Sequence, residues 1–372
     1  MHYRQSEKHV VMVGAFPPPV HGMAAVNFAV SRALQKSGAQ VTVINLAAPN
    51  LKRTLFSRLS RLPIVLLGFL KFLFSNRLHR RVFYMSVSGG LGQVYEVLFV
   101  ILARLRGMRI TLHHHSFAYL DKYSPLTAIV SRVAGPDAIH VTQSIGMVER
   151  LKTLYEIRHA ISISNAVFLL EREFPLDQSR KHLRTLGFIS NLSSQKGVCE
   201  FLDLLALAQR QGLPLRGILA GPFQDSSTER MVRKRIMHLT NVNYVGPKYG
   251  IEKDAFFTDV DLFIFPTRYT NETEGIVNHE AMSHAIPVIA YGRGCIPEIV
   301  GSDCGLVIET DQPFVPNALA QIEYWIENSR AFEATSKAAA ERFSRTYAES
   351  HIRWVQLLNE LTRDVDKRAS SP

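Results

Sequence analysis

Three glutamates follow a strongly apolar run in the second half of the sequence. The run is "VDLFIFPT" at 260–267, and Glu272, Glu274 and Glu280 lie in the "NETEGIVNHEA" that follows it. A helix is expected to begin near Gly275, so Glu272 falls in the loop and Glu280 falls one to two turns inside the helix. A loop carboxylate can accept hydrogen bonds from sugar hydroxyls, and one on the helix can accept a pair from ribose hydroxyls. The alternative is structural, because the helix dipole favours acidic residues near any helix N-terminus.

A lysine stands beside a glycine at a second predicted strand-to-helix turn. The strand "TLGFISNL" at 185–192 is followed by a polar loop, and Lys196-Gly197 opens the next helix. An ammonium beside free helix N–H groups forms an anion site suited to a diphosphate. An exposed loop lysine with no such role is the alternative, and this motif alone does not decide between them.

Three consecutive histidines, His113, His114 and His115, lie in "TLHHHSF" at the end of a predicted strand. Open α/β folds bind ligands at such strand ends. Because strand residues alternate between faces, His113 and His115 share a face and rank above His114. We favour a histidine that contacts a sugar or transfers a proton. Zinc binding and polar packing are the alternatives, and no helix supplies a companion metal ligand at fixed spacing.

The first strand, "HVVMVGAF" at 9–16, leads into three prolines and then His21-Gly22, where a helix is expected to begin. A glycine at this turn would let the backbone approach a phosphate or a sugar. A rigid turn with no ligand is an equally good interpretation. The loop is no G-x-G-x-x-G, which counts against binding of a nicotinamide dinucleotide.

Elements of alternating type must position these residues. Short, nearly continuous apolar strands alternate with amphipathic helical runs, and the series starts again at "TLGFISNL". Such a pattern is typical of parallel sheets covered by helices on both faces. We therefore predict an α/β protein of two doubly wound, Rossmann-like domains: residues 1–178, residues 179–345, and a C-terminal helix at 346–372 that packs back on the first domain and ends in a disordered tail.

The positive charge lies in the first half. The 372 residues carry a net charge of +11, and residues 1–178 hold 21 Lys and Arg against 9 Asp and Glu. A one-sided field of this kind indicates an anionic partner, either a membrane surface or a nucleic acid. The three cysteines have no metal or disulfide spacing, which suits a reducing compartment. The N-terminus does not read as a signal peptide.

The segment at 51–81 combines an apolar centre, Pro63–Phe74, with eight basic residues. Its apolar part is too short to span a bilayer, and Lys71 interrupts it. It forms either a pair of domain helices with solvated arginines or an amphipathic surface that lies on anionic lipid. The charge asymmetry supports the second interpretation independently.

Read together, these motifs resemble the retaining GT-B glycosyltransferases of family 4, the "glycosyl transferases group 1" set. The most specific element is the E-x7-E motif from Glu272 to Glu280. The others are "NLSSQKGV", "LAGP" (219–222), "VGP" (245–247), "DLFIFPT" (261–267), "IPVIAYGRGCIPEIV" (286–300) and "CGLVI" (304–308). The resemblance covers nearly the whole chain and implies a GT-B fold, with its two domains facing each other across a cleft.

The resemblance also implies a role for each residue of the site. It makes Glu280 the ribose ligand and Glu272 the ligand of the donor sugar, and Lys196 neutralises the leaving diphosphate without a metal. The catalytic residues it implies are His113, His115, Glu272 and Lys196. The donor-binding residues are Gly22, Asn191, Lys196, Gly246, Glu272, Glu274, Gly275, Ile276 and Glu280. No cofactor is expected, and the nucleotide-diphosphate sugar is the donor substrate.

Three departures from the family pattern concern the same site. Asn191 stands where the family usually has an arginine, five residues before the lysine, which removes one cation. His21-Gly22 replaces a common Gly-Gly. Glu274 occupies a position that is commonly aromatic, so we expect it to influence donor specificity.

The basic first half favours a lipid-linked acceptor at the cytoplasmic face of the inner membrane, as in assembly of bacterial surface polysaccharide or lipopolysaccharide. A soluble sugar or metabolite acceptor is one alternative, and a non-catalytic nucleotide-sugar-binding homologue is another. We expect no nucleic-acid partner, because the phenylalanines in the basic run follow an apolar helical pattern.

Overall fold

Strands and helices alternate along the described parts of the chain, and they separate into two units. The computed structural model of the protein describes residues 9–48, 60–75, 81–169 and 179–363. One unit comprises the residues up to Phe168 together with those from Glu349 onward, and the other comprises Leu169–Ala348. Parts of the predicted basic segment (51–59 and 76–80), the junction at 170–178 and the C-terminal tail from 364 lie outside the described residues.

The first unit contains a six-stranded parallel sheet in the order β2-β1-β3-β4-β5-β6. The third strand is buried at every position, as expected for a parallel sheet covered on both faces. The strands are β1 His9–Gly14, β2 Gln40–Asn45, β3 Val82–Val87, β4 Arg109–His114, β5 Ile139–Thr142 and β6 Ala160–Ser162.

Helices of the first unit begin where the sequence supplies caps. The Ser144 side chain accepts a hydrogen bond from the Met147 amide, and Ser124 caps a helix that has Pro125 in its first turn. The described helices are α1 Gly22–Lys36, α2 Leu62–Leu73, α3 Gln93–Leu105, α4 Ala118–Asp121, α5 Pro125–Ala134 and α6 Ile145–Tyr155.

The second unit repeats this architecture with a six-stranded parallel sheet in the order β12-β11-β10-β7-β8-β9. Its core is built on the apolar strands and on the inner face of the helix after β7. The strands are β7 Thr185–Ile189, β8 Arg216–Ala220, β9 Val242–Tyr244, β10 Leu262–Phe265, β11 Val288–Tyr291 and β12 Gly305–Ile308.

Seven helices complete the described part of the chain. The last one starts in the second unit, and its C-terminal part packs in the first, where Ser350 Oγ accepts a hydrogen bond from the Ser164 amide at 3.1 Å and Trp354 meets Phe168 edge-on. The helices are α7 Val198–Arg210, α8 Ser226–Ile236, α9 Ile251–Thr258, α10 Ile276–Ser283, α11 Ile296–Val300, α12 Phe314–Glu327 and α13 Ser329–Leu361. Across the described ranges, no helix has the length and apolar character needed to cross a bilayer.

The predicted pair of doubly wound α/β domains is confirmed, and the strand order shows where each sheet can bind a ligand. In the first sheet the strand order reverses between β1 and β3: β2 lies on one side of β1, and β3 to β6 follow on the other. In the second sheet the reversal lies between β7 and β10. Doubly wound sheets bind ligands beyond the carboxyl ends of the strands at such reversals. The loops after β1, β3, β7 and β10 are therefore the ones to examine.

Candidate functional site

The loop after β7 lies directly against the loop after β10. Gly197, between Lys196 and helix α7, has φ +91°, and a Cβ there would stand 2.3 Å from the carbonyl oxygen of Pro266. Only glycine tolerates both the conformation and the contact. The Arg268 amide adds a hydrogen bond of 2.8 Å to the carbonyl of Gln195. The fold thus holds the two loops predicted to carry the site against each other.

Lys196 and Glu272 meet in this place. The ammonium of Lys196 contacts Glu272 Oε2, and Thr267 Oγ1 donates to the same oxygen at 3.2 Å. Lys196 also lies over the ring of Tyr269, 4.8 Å from its centroid. Both side chains keep partial access to solvent, 19% for Lys196 and 10% for Glu272. A cation and a carboxylate held together at a strand end can bind an anionic group and a hydroxyl-bearing group side by side.

A third loop, which sequence analysis did not single out as a site, supports the Glu272 loop. Gly294 has φ +63°, and a Cβ there would lie 2.4–2.5 Å from the carbonyl oxygens of Thr273 and Glu272. The Cys295 amide donates to the Thr273 carbonyl at 2.8 Å, and Arg293 donates to the carbonyls of Tyr269 and Thr270. The "YGRGC" stretch carried the signal, since glycines flanking an arginine after a strand indicate close backbone packing.

Glu280 occupies the helix position expected from the sequence. Gly275 has φ +56°, and a Cβ there would stand 2.5 Å from the Phe265 ring, so α10 begins at Ile276 after an obligatory glycine. The Glu280 carboxylate accepts a hydrogen bond of 2.7 Å from Lys253 of α9. Sequence reasoning did not single out Lys253 as the partner of this carboxylate. The ammonium also lies 2.5 Å from the second oxygen, so this ion pair fixes the carboxylate and balances its charge.

The side chain of Glu274 is turned into the protein, and its expected influence on donor specificity stays a prediction. Only 1% of the residue is exposed, and its carboxylate pairs with His279 Nε2 at 3.2 Å, itself buried. The carbonyl of Glu274 accepts a hydrogen bond from the Asn278 side chain. Burial of a carboxylate requires such partners. Glu274 can therefore reach a ligand in this arrangement through its backbone, not through its carboxylate.

Asn191 and Gly246 lie at the ends of β7 and β9. Next to Asn191, the Leu192 amide bonds the Pro222 carbonyl at 2.8 Å, and the Gly246 carbonyl accepts a bond of 2.9 Å from the Gly221 amide. At Gly221 a Cβ would stand 1.8 Å from the Ser190 carbonyl. These contacts make a backbone-lined surface at the carboxyl edge of the sheet. Asn191 adds no charge to it.

In the first unit, alternation brings His113 and His115 together, as predicted. Their rings lie 4.1 Å apart between centroids. The Gln143 amide donates to His113 Nε2 at 3.0 Å, which leaves Nδ1 protonated to donate to the Tyr84 hydroxyl at 2.6 Å. Burial lowers the pKa of His113 well below its usual value. Both nitrogens of His113 are therefore engaged in structural bonds.

His115 is the less constrained of the two. Its Nε2 is shielded from solvent and has no hydrogen-bond partner among the described residues. Burial, with a smaller contribution from neighbouring His21, lowers the pKa of His115 to about 3, so the ring is neutral at pH 7. A neutral imidazole with an unpaired nitrogen can donate to or accept from a hydroxyl. His114 points to the other face, where it bonds Tyr119 and His140.

His21 and Gly22 form the start of α1, as expected. His21 Nδ1 accepts a hydrogen bond from the Ala24 amide, so the histidine is the helix cap. Burial and the nearby Arg61 lower its pKa to about 4. A Cβ on Gly22 would meet nothing within 4 Å, which leaves open space beside the backbone. The prediction that Gly22 permits close approach of a ligand is untested by this geometry.

A buried carboxylate at the end of β3 was missed by sequence reasoning. Glu96 of α3 accepts hydrogen bonds from the amide of Ser88 at 3.0 Å and from its hydroxyl at 2.5 Å. Burial raises its pKa to about 7, and the Ser88 bonds and Arg61 oppose that rise. Nothing in the sequence around Glu96 marked this residue as part of a site. Its bonds give it a role in fixing the loop after β3.

Within the described residues, no group of three or more His, Cys, Asp or Glu side chains is placed to hold a metal ion. The three consecutive histidines accordingly do not converge, since His114 faces away from the other two.

Comparison with known proteins identifies the second unit. Residues 171–342 match the family model described as "Glycosyl transferases group 1". The matched region, a little under half of the chain, holds Lys196, Glu272 and Glu280. No match was found among curated protein sequences.

Solved structures identify the fold of the whole chain. HepE from Anabaena, in complex with UDP-glucose, aligns over 94% of this chain and 99% of its own with a TM-score of 0.68 and 16% identity. Sucrose-phosphate synthase from Thermosynechococcus elongatus aligns over 95% and 99%, with a TM-score of 0.67 and 16% identity. WaaG, a glycosyltransferase involved in lipopolysaccharide biosynthesis, aligns over 95% and 100%, with a TM-score of 0.61 and 14% identity. The predicted GT-B fold of two Rossmann-like domains is confirmed.

Proposed function

We propose that this protein is a retaining, metal-independent glycosyltransferase of family 4 that moves a sugar from a nucleotide-diphosphate sugar to a lipid-linked glycan acceptor. The observation that carries the proposal is the contact between Lys196 and Glu272 inside the glycosyl transferases group 1 domain. One residue offers a cation for the diphosphate and the other offers a carboxylate for sugar hydroxyls. The proposed setting is bacterial surface polysaccharide or lipopolysaccharide assembly at the cytoplasmic face of a membrane.

The donor is held by the second unit in this proposal. Lys196 and the N-terminus of α7 bind the diphosphate, and Glu280 accepts hydrogen bonds from the ribose hydroxyls. Glu272 binds hydroxyls of the donor sugar, while backbone groups at Glu274, Gly275 and Ile276 lie beside it. Asn191 and Gly246 complete the surface around the nucleotide. UDP is the first nucleotide to test, because the related HepE structures contain UDP or UDP-glucose.

The residues then act on the charges that develop during transfer. As the bond from the anomeric carbon to the diphosphate breaks, its electron pair passes to the diphosphate oxygen, where the Lys196 cation stabilises it. The acceptor hydroxyl bonds the same face of the anomeric carbon and gives its proton to the departing oxygen. The first unit contributes the Gly22 turn and His115, whose neutral ring contacts the donor sugar. The ring of His113 packs against the ring of His115 and supports it. A trapped covalent glycosyl–enzyme species would refute this front-face mechanism.

A soluble acceptor is the second candidate. It is favoured by the likeness to sucrose-phosphate synthase, whose name indicates a soluble product. A non-catalytic nucleotide-sugar-binding protein is the third candidate, and the missing cation at Asn191 is the feature in its favour.

The proposal is tested by incubating the purified full-length chain with UDP, GDP and ADP sugars, without added metal and with a chelator. We expect release of the nucleoside diphosphate from one donor class, and no release by Lys196→Ala. Lys337→Ala, which removes an exposed lysine of α13, is the matched control. Thermal stabilisation by a donor without any turnover, in the presence of lipid-linked or soluble acceptors, would favour the non-catalytic alternative.

A further inference from the structure

Helices α2 and α3 expose a broad apolar surface in the first unit. On α3 the exposed residues recur at the spacing of one helix face, on the side opposite its buried residues. Individual values reach 67% for Leu67, 74% for Phe74 and 78% for Leu105. The exposed members on both helices and their ends are Leu62, Leu66, Leu67, Leu73, Phe74, Leu91, Val94, Leu98, Ile101 and Leu105. We call this set the α2–α3 face.

Aromatic contacts and an arginine hold α2 and α3 together on the side facing the protein interior. Phe72 of α2 stacks against Phe99 of α3 with centroids 6.0 Å apart, and Phe69 meets Phe99 edge-on at 5.5 Å. Arg106 donates to the carbonyls of Phe72 and Leu73 and so closes the end of α2. The aromatic contacts and the arginine leave the aliphatic side chains directed outward on a fixed support. The surface is an assembled one and not a pair of frayed helices.

The stretch of sequence that contains α2 and leads to α3 carries charge of one sign. In the sequence from Lys8 to Tyr95 there are eleven Lys and Arg and no Asp or Glu. Glu96, the next acidic residue, is 3% exposed and is bonded to Ser88. Lys71 is exposed within the face itself. An apolar surface that carries an exposed lysine is complementary to an anionic, apolar partner.

We infer that the α2–α3 face docks on the surface of an anionic lipid bilayer. The helices have 12 and 13 residues, about 20 Å at 1.5 Å per residue, so they can lie in the interface but not cross the bilayer. A second copy of the chain fits poorly, because pairing this face with itself would bring like charges together. Nucleic acid fits poorly as well, because aliphatic side chains and not stacking rings dominate the face.

One edge of the face leads to the candidate site of the same unit. Arg61 immediately precedes α2; its guanidinium lies 5.1 Å from the centre of the Tyr95 ring and donates to the Leu46 carbonyl at 2.7 Å. The same charge contributes to the lowered pKa of His21. An acceptor carried in the bilayer would therefore be presented beside the loops after β1 and β3. This inference deepens the lipid-side part of the proposed function and rests on it only for the acceptor.

The test is co-sedimentation of the full-length protein with vesicles of phosphatidylcholine alone or with added phosphatidylglycerol. At low salt we expect binding to the anionic vesicles, weaker binding at high salt, and at least tenfold weaker partitioning for Leu67→Glu combined with Leu98→Glu. Lys71→Glu should weaken it severalfold. Ile251→Glu, which alters an equally exposed aliphatic residue of α9, should bind as the wild type does.

Each outcome separates the docking from the chemistry. Donor hydrolysis without vesicles reports on the proposed function and should be unchanged in every one of these variants, which also shows that they fold. Absence of wild-type binding to anionic vesicles at low salt overturns the docking and leaves the transfer reaction standing. Dimers in light scattering that Leu98→Glu dissociates, together with no vesicle binding, would assign the face to a second copy.

Discussion

The ammonium of Lys196 contacts the carboxylate of Glu272, 76 positions later in the chain. Strands β7 and β10 are hydrogen-bonded neighbours at the reversal of the second sheet, so the loops that follow them end side by side. The pair also places a positive charge over the ring of Tyr269. The cation is therefore held in place before any ligand binds. Such preorganisation lowers the cost of stabilising charge during a reaction.

The buried position of Glu274 predicts a structural effect. Glu274→Gln replaces the carboxylate that pairs with His279 by a neutral amide. A buried polar group whose hydrogen-bond partner is lost or weakened costs about 1–3 kcal/mol of stability. We expect a lower midpoint of denaturant unfolding and an unchanged order of preference among donor sugars. Glu229→Gln, on the exposed face of α8, serves as the control. A changed donor preference at unaltered stability would restore the sequence-based role in specificity.

The proposed role of Glu280 predicts that its substitution weakens nucleotide binding through the ribose hydroxyls alone. Glu280→Gln weakens the charge-assisted hydrogen bonds to the ribose hydroxyls, so we expect about 10- to 100-fold weaker binding of the preferred nucleoside diphosphate. Titration calorimetry with that nucleotide and its 2′-deoxy analogue forms a double-mutant cycle. The 2′-deoxy analogue should bind the wild type weakly, and its affinity should fall only slightly further in Glu280→Gln. Equal losses for both nucleotides would mean that Glu280 acts elsewhere.

His115 and His113 predict different consequences. His115→Ala should lower kcat by about 100-fold and lower the unfolding midpoint less than His113→Ala does, because the Nε2 of His115 has no hydrogen-bond partner to lose within the described parts of the chain. His113→Ala should destabilise the first unit, since both ring nitrogens are bonded. His159→Ala, at an exposed position, is the control for both measurements. Full activity in His115→Ala would remove this ring from the site.

The buried His140 predicts loss of stability in acid. Burial lowers its pKa from 6.5 to about 4, so between these pH values His140 is protonated in the unfolded chain and neutral in the folded one. Stability from this residue is complete above pH 6.5 and is lost as the pH falls toward 4. At pH 5.5 the loss is about 1.4 kcal/mol relative to pH 7.5.

The measurement is the difference in unfolding free energy between wild type and His140→Gln at pH 7.5 and 5.5. This difference separates the contribution of His140 from that of Glu96. The raised pKa of Glu96 has the opposite effect, because between pH 7 and 4.5 the folded state binds a proton that the unfolded state has released. The variant should lose less stability on acidification than the wild type. Parallel pH profiles for the two proteins would contradict the assignment.

The sequence was sufficient for the fold and for the positions of the main loops. Strand periodicity predicted that His113 and His115 share a face, and the rings do meet. The predicted start of the helix near Gly275 was also right, because a glycine with positive φ is visible as a sequence signal. These features depend on neighbours in the chain, so local patterns report them.

Long-range features could not be predicted in the same way. The inward direction of Glu274 depends on His279 and on the close approach of Gly294 to the Glu272 loop. Lys253 reaches Glu280 from a different helix, 27 positions away. The exposed apolar stripe on α3 could not be distinguished from a core-facing one, because periodicity gives the spacing of a face and not what covers it.

The most direct test of the central claim is calorimetric titration of UDP into the full-length protein, its Lys196→Ala variant and its Lys337→Ala control, with a chelator present. We expect micromolar-range binding to the wild type and control, and at least 100-fold weaker binding to Lys196→Ala. If UDP does not bind, GDP and ADP are titrated in the same way. Binding of the preferred nucleotide that is unchanged by loss of Lys196, or binding that appears only when a divalent metal is added, would contradict it.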